Sequence, residues 1–154
     1  MKSLPANFVI RQEVDPKELA ELYAAAGWNH KADATLCQRS LEHTPVLFTM
    51  YSTGRLIGCV RLATDYCQFA HIIDLVVHPE FRRRGIGGAL VHRVIQFCNE
   101  HGFEEHQGEL TLTAAHQADQ FFSVFNFHRV SNGMFYKFRH LRKERTTKLT
   151  ISRS

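Results

Sequence analysis

One stretch of the chain, residues 71–102, leaves few folds open: it reads HIIDLVVHPEFRRRGIGGALVHRVIQFCNEHG. Its first part, HIIDLVVH, is apolar and β-branched and stops at Pro79, the pattern of a strand with a firm end. From Ile86 the period changes. Ile86, Leu90, Val94 and Phe97 fall on one helical face with Val91, Ile95 and Cys98 beside it, and Gly102 closes the run. Between strand and helix stands Arg82-Arg83-Arg84-Gly85-Ile86-Gly87-Gly88. The first turn of a helix carries unpaired N–H groups and a partial positive charge. Glycines let a bulky anion approach that backbone, and arginine forks match phosphate oxygens. The unit suits an anion, with phosphate or pyrophosphate as its natural guest. The plainer reading, surface arginines ahead of an ordinary helix, fits the ordered strand–stop–helix context less well.

Other phosphate loops fail on inspection. A P-loop needs GxxxxGK before Ser or Thr, and the sequence has none. A dinucleotide fingerprint needs GxGxxG or GxGxxA, and Leu90 stands where the third small residue belongs. The ten histidines show neither HExxH nor Cys/His zinc spacing, so no metal is expected.

The rest of the 154 residues arranges itself around this unit. Residues 8–13 read as a first strand. A helix follows over 15–26, with Asp15 as cap, Pro16 in the first turn, Glu18 at capping-box spacing and Gly27 as terminator. A second helix is expected over 33–43. Residues 45–51 and 55–64 read as strands joined by the turn Ser52-Thr53-Gly54-Arg55. Residues 109–113 give a further strand, 114–125 a helix, and 128–131 with 134–139 a final hairpin around Asn132-Gly133. The pattern is α/β, or α+β: one domain over 6–140 with a C-terminal extension over 141–154.

Charge lies mostly in that extension. Arg142, Lys143, Arg145, Lys148 and Arg153 against Glu144 account for the whole net +4, and the body balances to zero. Charge therefore does not favour nucleic acid as a partner of the body. No apolar run is long enough to span a membrane, and the N-terminus lacks a signal-peptide pattern. Cys37, Cys59, Cys67 and Cys98 include no CxxC pair, which fits reduced structural thiols and a cytoplasmic location.

On these residues the chain resembles the GNAT superfamily of acyl-CoA-dependent N-acetyltransferases, whose signature is a strand, a turn reading Arg/Gln-x-x-Gly-x-Gly/Ala, and a helix. Arg82, Gly85 and Gly87 match it, after a typical LVVHPEFR. A weaker match, residues 118–127 (ADQFFSVFNF), resembles the family's A-x-x-F-Y-x-x-x-G-F. The resemblance implies a mixed, mostly antiparallel central sheet, splayed between the fourth and fifth strands and flanked by helices. It implies acetyl-CoA as acyl-donor co-substrate and a small-molecule or peptide amine as acceptor. Coenzyme A would be held by Leu75, Val76, Val77, Arg82, Arg83, Arg84, Gly85, Ile86, Gly87, Gly88 and Phe122. The Val77 amide would face the thioester carbonyl.

Two positions depart from the family pattern. Asn126 replaces a glycine, and Asn is the next-best residue for a left-handed helix end. Phe122 stands where many relatives carry a Tyr that protonates the departing thiolate; a ring without a hydroxyl suits core or cofactor packing. Tyr136 or a water is an alternative donor. His71 is the expected base: on a regular strand it shares a face with Ile73, Leu75 and Val77. The alternative is an inert, hydrogen-bonded histidine. Asp74, on the other face, is expected to pair with an arginine. His116 is a further candidate. Trp28, in the Gly27-Trp28-Asn29-His30 segment, falls on the family's acceptor side. The resemblance is also compatible with a homodimer through the terminal hairpin, and with a non-catalytic acyl-CoA sensor.

Overall fold

A computed structural model describes residues 7–115 and 117–130. The chain runs β1 (Phe8–Arg11), α1 (Pro16–Ala25), a 3₁₀ turn (Asn29–Lys31), α2 (Ala34–Glu42), β2 (Val46–Ser52) and β3 (Arg55–Thr64). It continues with β4 (Phe69–Val77), a second 3₁₀ turn (Pro79–Phe81), α3 (Ile86–Glu100), β5 (Glu109–Leu112) and α4 (Asp119–Ser123). The sheet order is β1-β2-β3-β4-β5, antiparallel except for the parallel pair β4–β5. This is the mixed, mostly antiparallel architecture expected from the sequence.

Local chemistry explains the elements. Asp15 caps α1, its carboxylate accepting from the Lys17 amide at 2.7 Å. Glu18 does not complete a capping box; its carboxylate accepts instead from the Tyr51 hydroxyl at 2.8 Å. Asp33 caps α2 through the Leu36 amide at 2.9 Å. Thr53 and Gly54 both take positive φ, as a tight two-residue hairpin turn demands.

Two apolar layers sandwich the sheet. On one face α3 buries Ile86, Leu90 and Val94 against Phe48, Val60, Leu62, Ala70 and Ile72. On the other, α1 buries Leu19, Leu22 and Tyr23 against Tyr51, Cys59 and Val76. Side chains as fully buried as Leu90 and Leu19 each contribute about 1.5–3 kcal/mol.

Two expectations change. The helix over 114–125 shrinks to Asp119–Ser123, because Gln117 adopts a left-handed conformation that an α-helix cannot contain. Asn126 is also left-handed and follows the end of that helix, as its side chain suggests. Residues 128–130, the start of the expected final hairpin, are not in a strand; the rest of it, including Tyr136, and the extension at 141–154 lie outside the described residues, as does His116.

Candidate active site

β4 is two strand segments joined by a bulge. Arg61 pairs with Asp74 and Leu62 with Ile72, so Ile73 is an extra residue opposite neither. Ala70 and Ile72 face α3 before the bulge; after it Leu75 and Val77 do, while Asp74 and Val76 turn toward α1. The regular-strand expectation that His71 shares a face with Leu75 and Val77 therefore does not hold. The inserted residue reverses the alternation.

The bulge also coincides with the end of strand pairing. β5 pairs with Phe69, Ala70, His71 and Ile72 only, while β4 continues to Val77. Beyond Ile72, β4 has no partner on the β5 side among the described residues. The His78 amide donates to Ile57 of β3 at 2.8 Å. By the two-residue period, the main-chain groups of Val77 and Leu75 point the other way, into the gap.

At the end of β4 the arginine–glycine turn begins α3. Arg83 and Gly85 both have positive φ, at 63° and 82°. Gly85 is the N-cap, and no side chain caps this helix. Its first bond from an amide back four residues runs from Ala89 to Gly85 at 2.9 Å, leaving the amides of Ile86, Gly87 and Gly88 ahead of it without such a partner. Gap and turn join in one groove of about 370 Å³.

The groove brings together Leu75, Val76, Val77, Arg82, Arg83, Gly85, Ile86, Gly87 and Gly88 from the expected set. Arg82 also donates through Nε to the Val77 carbonyl at 3.3 Å. Three expected residues stand elsewhere. Arg84 lies over the Phe81 ring, 5.2 Å from its centre. Phe122 packs edge-on against Phe121 and Phe127. His71 lies at the closed end, its Nδ1 2.7 Å from the Thr111 hydroxyl, roughly 20 Å along the strand from Val77.

Phe121, Phe81 and Trp28 complete the lining. Phe121 explains Gly87: a Cβ there would meet its ring at 3.3 Å, and one at Gly88 would meet the Phe125 ring at 3.3 Å. These glycines thus admit the aromatic side chains around α4 as well as any anion. The neighbouring aromatics in FFSVFNF gave a signal for such a wall, but not which ring would form it.

Behind the groove, on the α1 face, Asp74 anchors a buried ionic cluster. Arg61 donates to its Oδ2 through Nε at 2.9 Å and through its terminal nitrogen at 2.7 Å, and the Tyr23 hydroxyl does so at 2.8 Å. Lys31 bonds Oδ1, and Arg61 reaches the Thr44 hydroxyl at 2.9 Å. Burial alone would lift the Asp74 carboxyl; the bonds from Lys31, Arg61 and Tyr23 outweigh it and hold it below its usual range. Burial, then the Asp74 charge, pushes the Tyr23 phenol up. The expected arginine partner of Asp74 is thus Arg61.

Among the described residues, no three His, Cys, Asp or Glu side chains gather to hold a metal. No described helix is long and apolar enough to cross a membrane. Cys37, Cys59 and Cys98 are buried free thiols, and burial pushes Cys59 up to about 12.

Residues 13–127 match the model of the acetyltransferase (GNAT) family. An uncharacterised N-acetyltransferase of Porphyra purpurea is 30% identical over 83 residues, covering 51% of this chain and 47% of the relative. The chain spans about half the length of that relative. A GNAT-family acetyltransferase of Streptococcus pneumoniae superposes with a TM-score of 0.68 at 24% identity, covering 86% of this chain and 98% of that one. AAC(6')-Iy, solved with the bisubstrate analogue CoA-S-monomethyl-acetylneamine, gives 0.65 at 16% identity over 88% of this chain and 100% of that one. At these identities the two structures speak for the fold.

Proposed function

The chain belongs to the acetyltransferase (GNAT) family, and from that premise we propose that it moves the acetyl group of acetyl-CoA to a primary amine by direct attack in a ternary complex. The observation that carries this reading is the continuity of one groove from uncapped helix amides to unpaired strand edge. A diphosphate fits the first part: three amides without an i−4 partner, a left-handed glycine and two arginines. A pantetheine chain carries amide groups and fits the second, where Leu75 and Val77 offer main-chain donors and acceptors.

The co-substrate supplies an activated thioester. In the transfer the amine nitrogen forms a C–N bond to the acetyl carbon, the C–S bond breaks, and the amine proton leaves to a base. The Val77 amide stabilises the charge developing on the carbonyl oxygen. The base in that step is water: His71 lies roughly 20 Å along the strand from Val77, its ring held by Thr111, out of reach of the reacting nitrogen. Phe122 gives no proton; a thiolate with a pKa of about 8.5 leaves without one.

Calorimetric titration with acetyl-CoA tests the reading. Binding in the micromolar range is expected, and no binding at millimolar ligand would remove it. The absent hydroxyl at Phe122 favours one rival, a domain that binds acyl-CoA without turnover. Thiol release above the hydrolysis control with any amine in a mixed panel decides against that rival. His71→Ala should leave both the pH–rate profile and cofactor affinity unchanged; a fall in turnover mainly below pH 8 would restore His71 as the base.

A further inference from the structure

We propose that the acceptor is an aromatic primary amine whose ring packs against Trp28. This deepens the transferase reading above and rests on it. The acceptor's path follows from the two faces of the sheet. The helix amides that suit a diphosphate lie on the α3 face, so the second substrate meets the gap from the α1 face. Trp28, in the connection between α1 and α2, borders the groove from there beside Val76.

Trp28 is held ready before any ligand arrives. Its ring stacks on Tyr23, with centroids 5.6 Å apart and planes 17° apart. Tyr23 in turn donates to Asp74 at 2.8 Å. The Lys31 ammonium lies 5.8 Å from the centre of the Trp28 ring and is tied to Asp74 as well. An ordered aromatic plate costs a ligand little to stack on, because the plate loses no further freedom.

Charge narrows the acceptor further. Among the described residues no Asp or Glu lines the groove. Asp74, the acid on β4, is taken by Arg61, Lys31 and Tyr23. A polyamine, a multiply charged aminosugar or a lysine-rich peptide would bring several cations to a wall with no anion to receive them. An aromatic amine needs only apolar surface, which Trp28 and Val76 supply on the α1 face, and the nitrogen that reacts is its one charged group.

Trp28 is the only tryptophan in the chain, so its emission reports on this position alone. The experiment titrates the CoA-loaded protein with 2-phenylethylamine, with 2-cyclohexylethylamine, equal in bulk but without a π face, and with spermidine. The phenyl amine is expected to change the emission saturably and spermidine to leave it flat. With acetyl-CoA, kcat/KM for the phenyl amine should exceed that for the cyclohexyl amine about fivefold. Trp28→Ala, or Trp28→Leu if the alanine variant melts early, should bring that ratio to about one, and Trp28→Phe should keep most of it, the ratio being taken within each variant at saturating acetyl-CoA so that any change in cofactor binding cancels. Preference for spermidine, a ratio indifferent to Trp28, or no turnover of the phenyl amine by protein that binds acetyl-CoA would overturn the inference. Loss of acetyl-CoA binding in the wild-type protein would overturn the parent reading with it.

Discussion

Asp74 and the Arg82–Arg84 run belong to one strand-and-turn segment, yet they treat charge in opposite ways. Asp74 is 5% exposed and Arg61 7%, and each finds its partners inside the protein. The arginine turn does the reverse. Arg82 spends one donor on the Val77 carbonyl, Arg83 borders the groove, and three helix amides have no partner four residues back. A closed set of charges holds elements together; an unclosed set awaits something from outside. The difference separates the part of the segment that fixes α1 and the α1–α2 connection from the part suited to a ligand.

The sharpest way to break this comparison is Asp74→Asn. Removing the carboxylate leaves Arg61 charged and buried, which costs on the order of 3–5 kcal/mol. Urea denaturation should show that loss, and a midpoint unchanged within error would mean that the cluster is not the brace described here. A mutation in the turn should do the opposite. Gly87→Glu puts bulk and negative charge beside the helix amides and should weaken acetyl-CoA at least about 100-fold, or ~2.7 kcal/mol. The new side chain also meets Phe121, so Gly87→Glu should be paired with Phe121→Ala. If the double variant regains affinity, crowding by the ring rather than charge explains the loss.

Arg83→Ala should lower acetyl-CoA affinity about tenfold, with a shallower salt dependence and no change in melting temperature. A fall in melting temperature would move Arg83 into the structural class with Arg61. The smallest effect is one of pH. Because the folded Asp74 carboxyl sits below its unfolded value of about 3.9, its stabilisation is complete above that pH and fades as pH drops through the lowered folded value. The gap in urea midpoint between wild type and Asp74→Asn should stay constant down to about pH 4 and close below it. A gap that closed nearer pH 6 would assign the titration to another group.

Much of this was legible in the sequence because it depends on neighbours along the chain. The apolar stripe of α3, the Pro79 stop and the glycines of the turn are local signals, and each stands where it was expected. So does the hairpin around Gly54, where positive φ needs the residue types present. What escaped was set by distant partners. Glu18 has the spacing of a capping box, but a buried tyrosine claims it from β2. Nothing in HIIDLVVH marks Ile73 as unpaired; that follows from the register with β3. Phe121 and Phe122 are identical in local chemistry, and only the way the chain around α4 lies against α3 decides which ring borders the groove. The resemblance implied an acceptor-side place for Trp28, while its stacking on Tyr23 required the folded connection.

The unpaired Ile73 also bears on how such a strand can change over generations. It acts as a one-letter shift of phase, letting the same ribbon be read in one frame before it and the other frame after. Excising that letter would leave a plain alternating ribbon, with the carboxylate still toward α1 and the leucine and valine still toward α3. Ironing the ribbon flat with the letter kept would do the opposite: the carboxylate would swing to the greasy side beneath α3, and the leucine and valine would turn from the groove. A codon lost at that point is absorbed, while a lost kink would rewrite both sides at once.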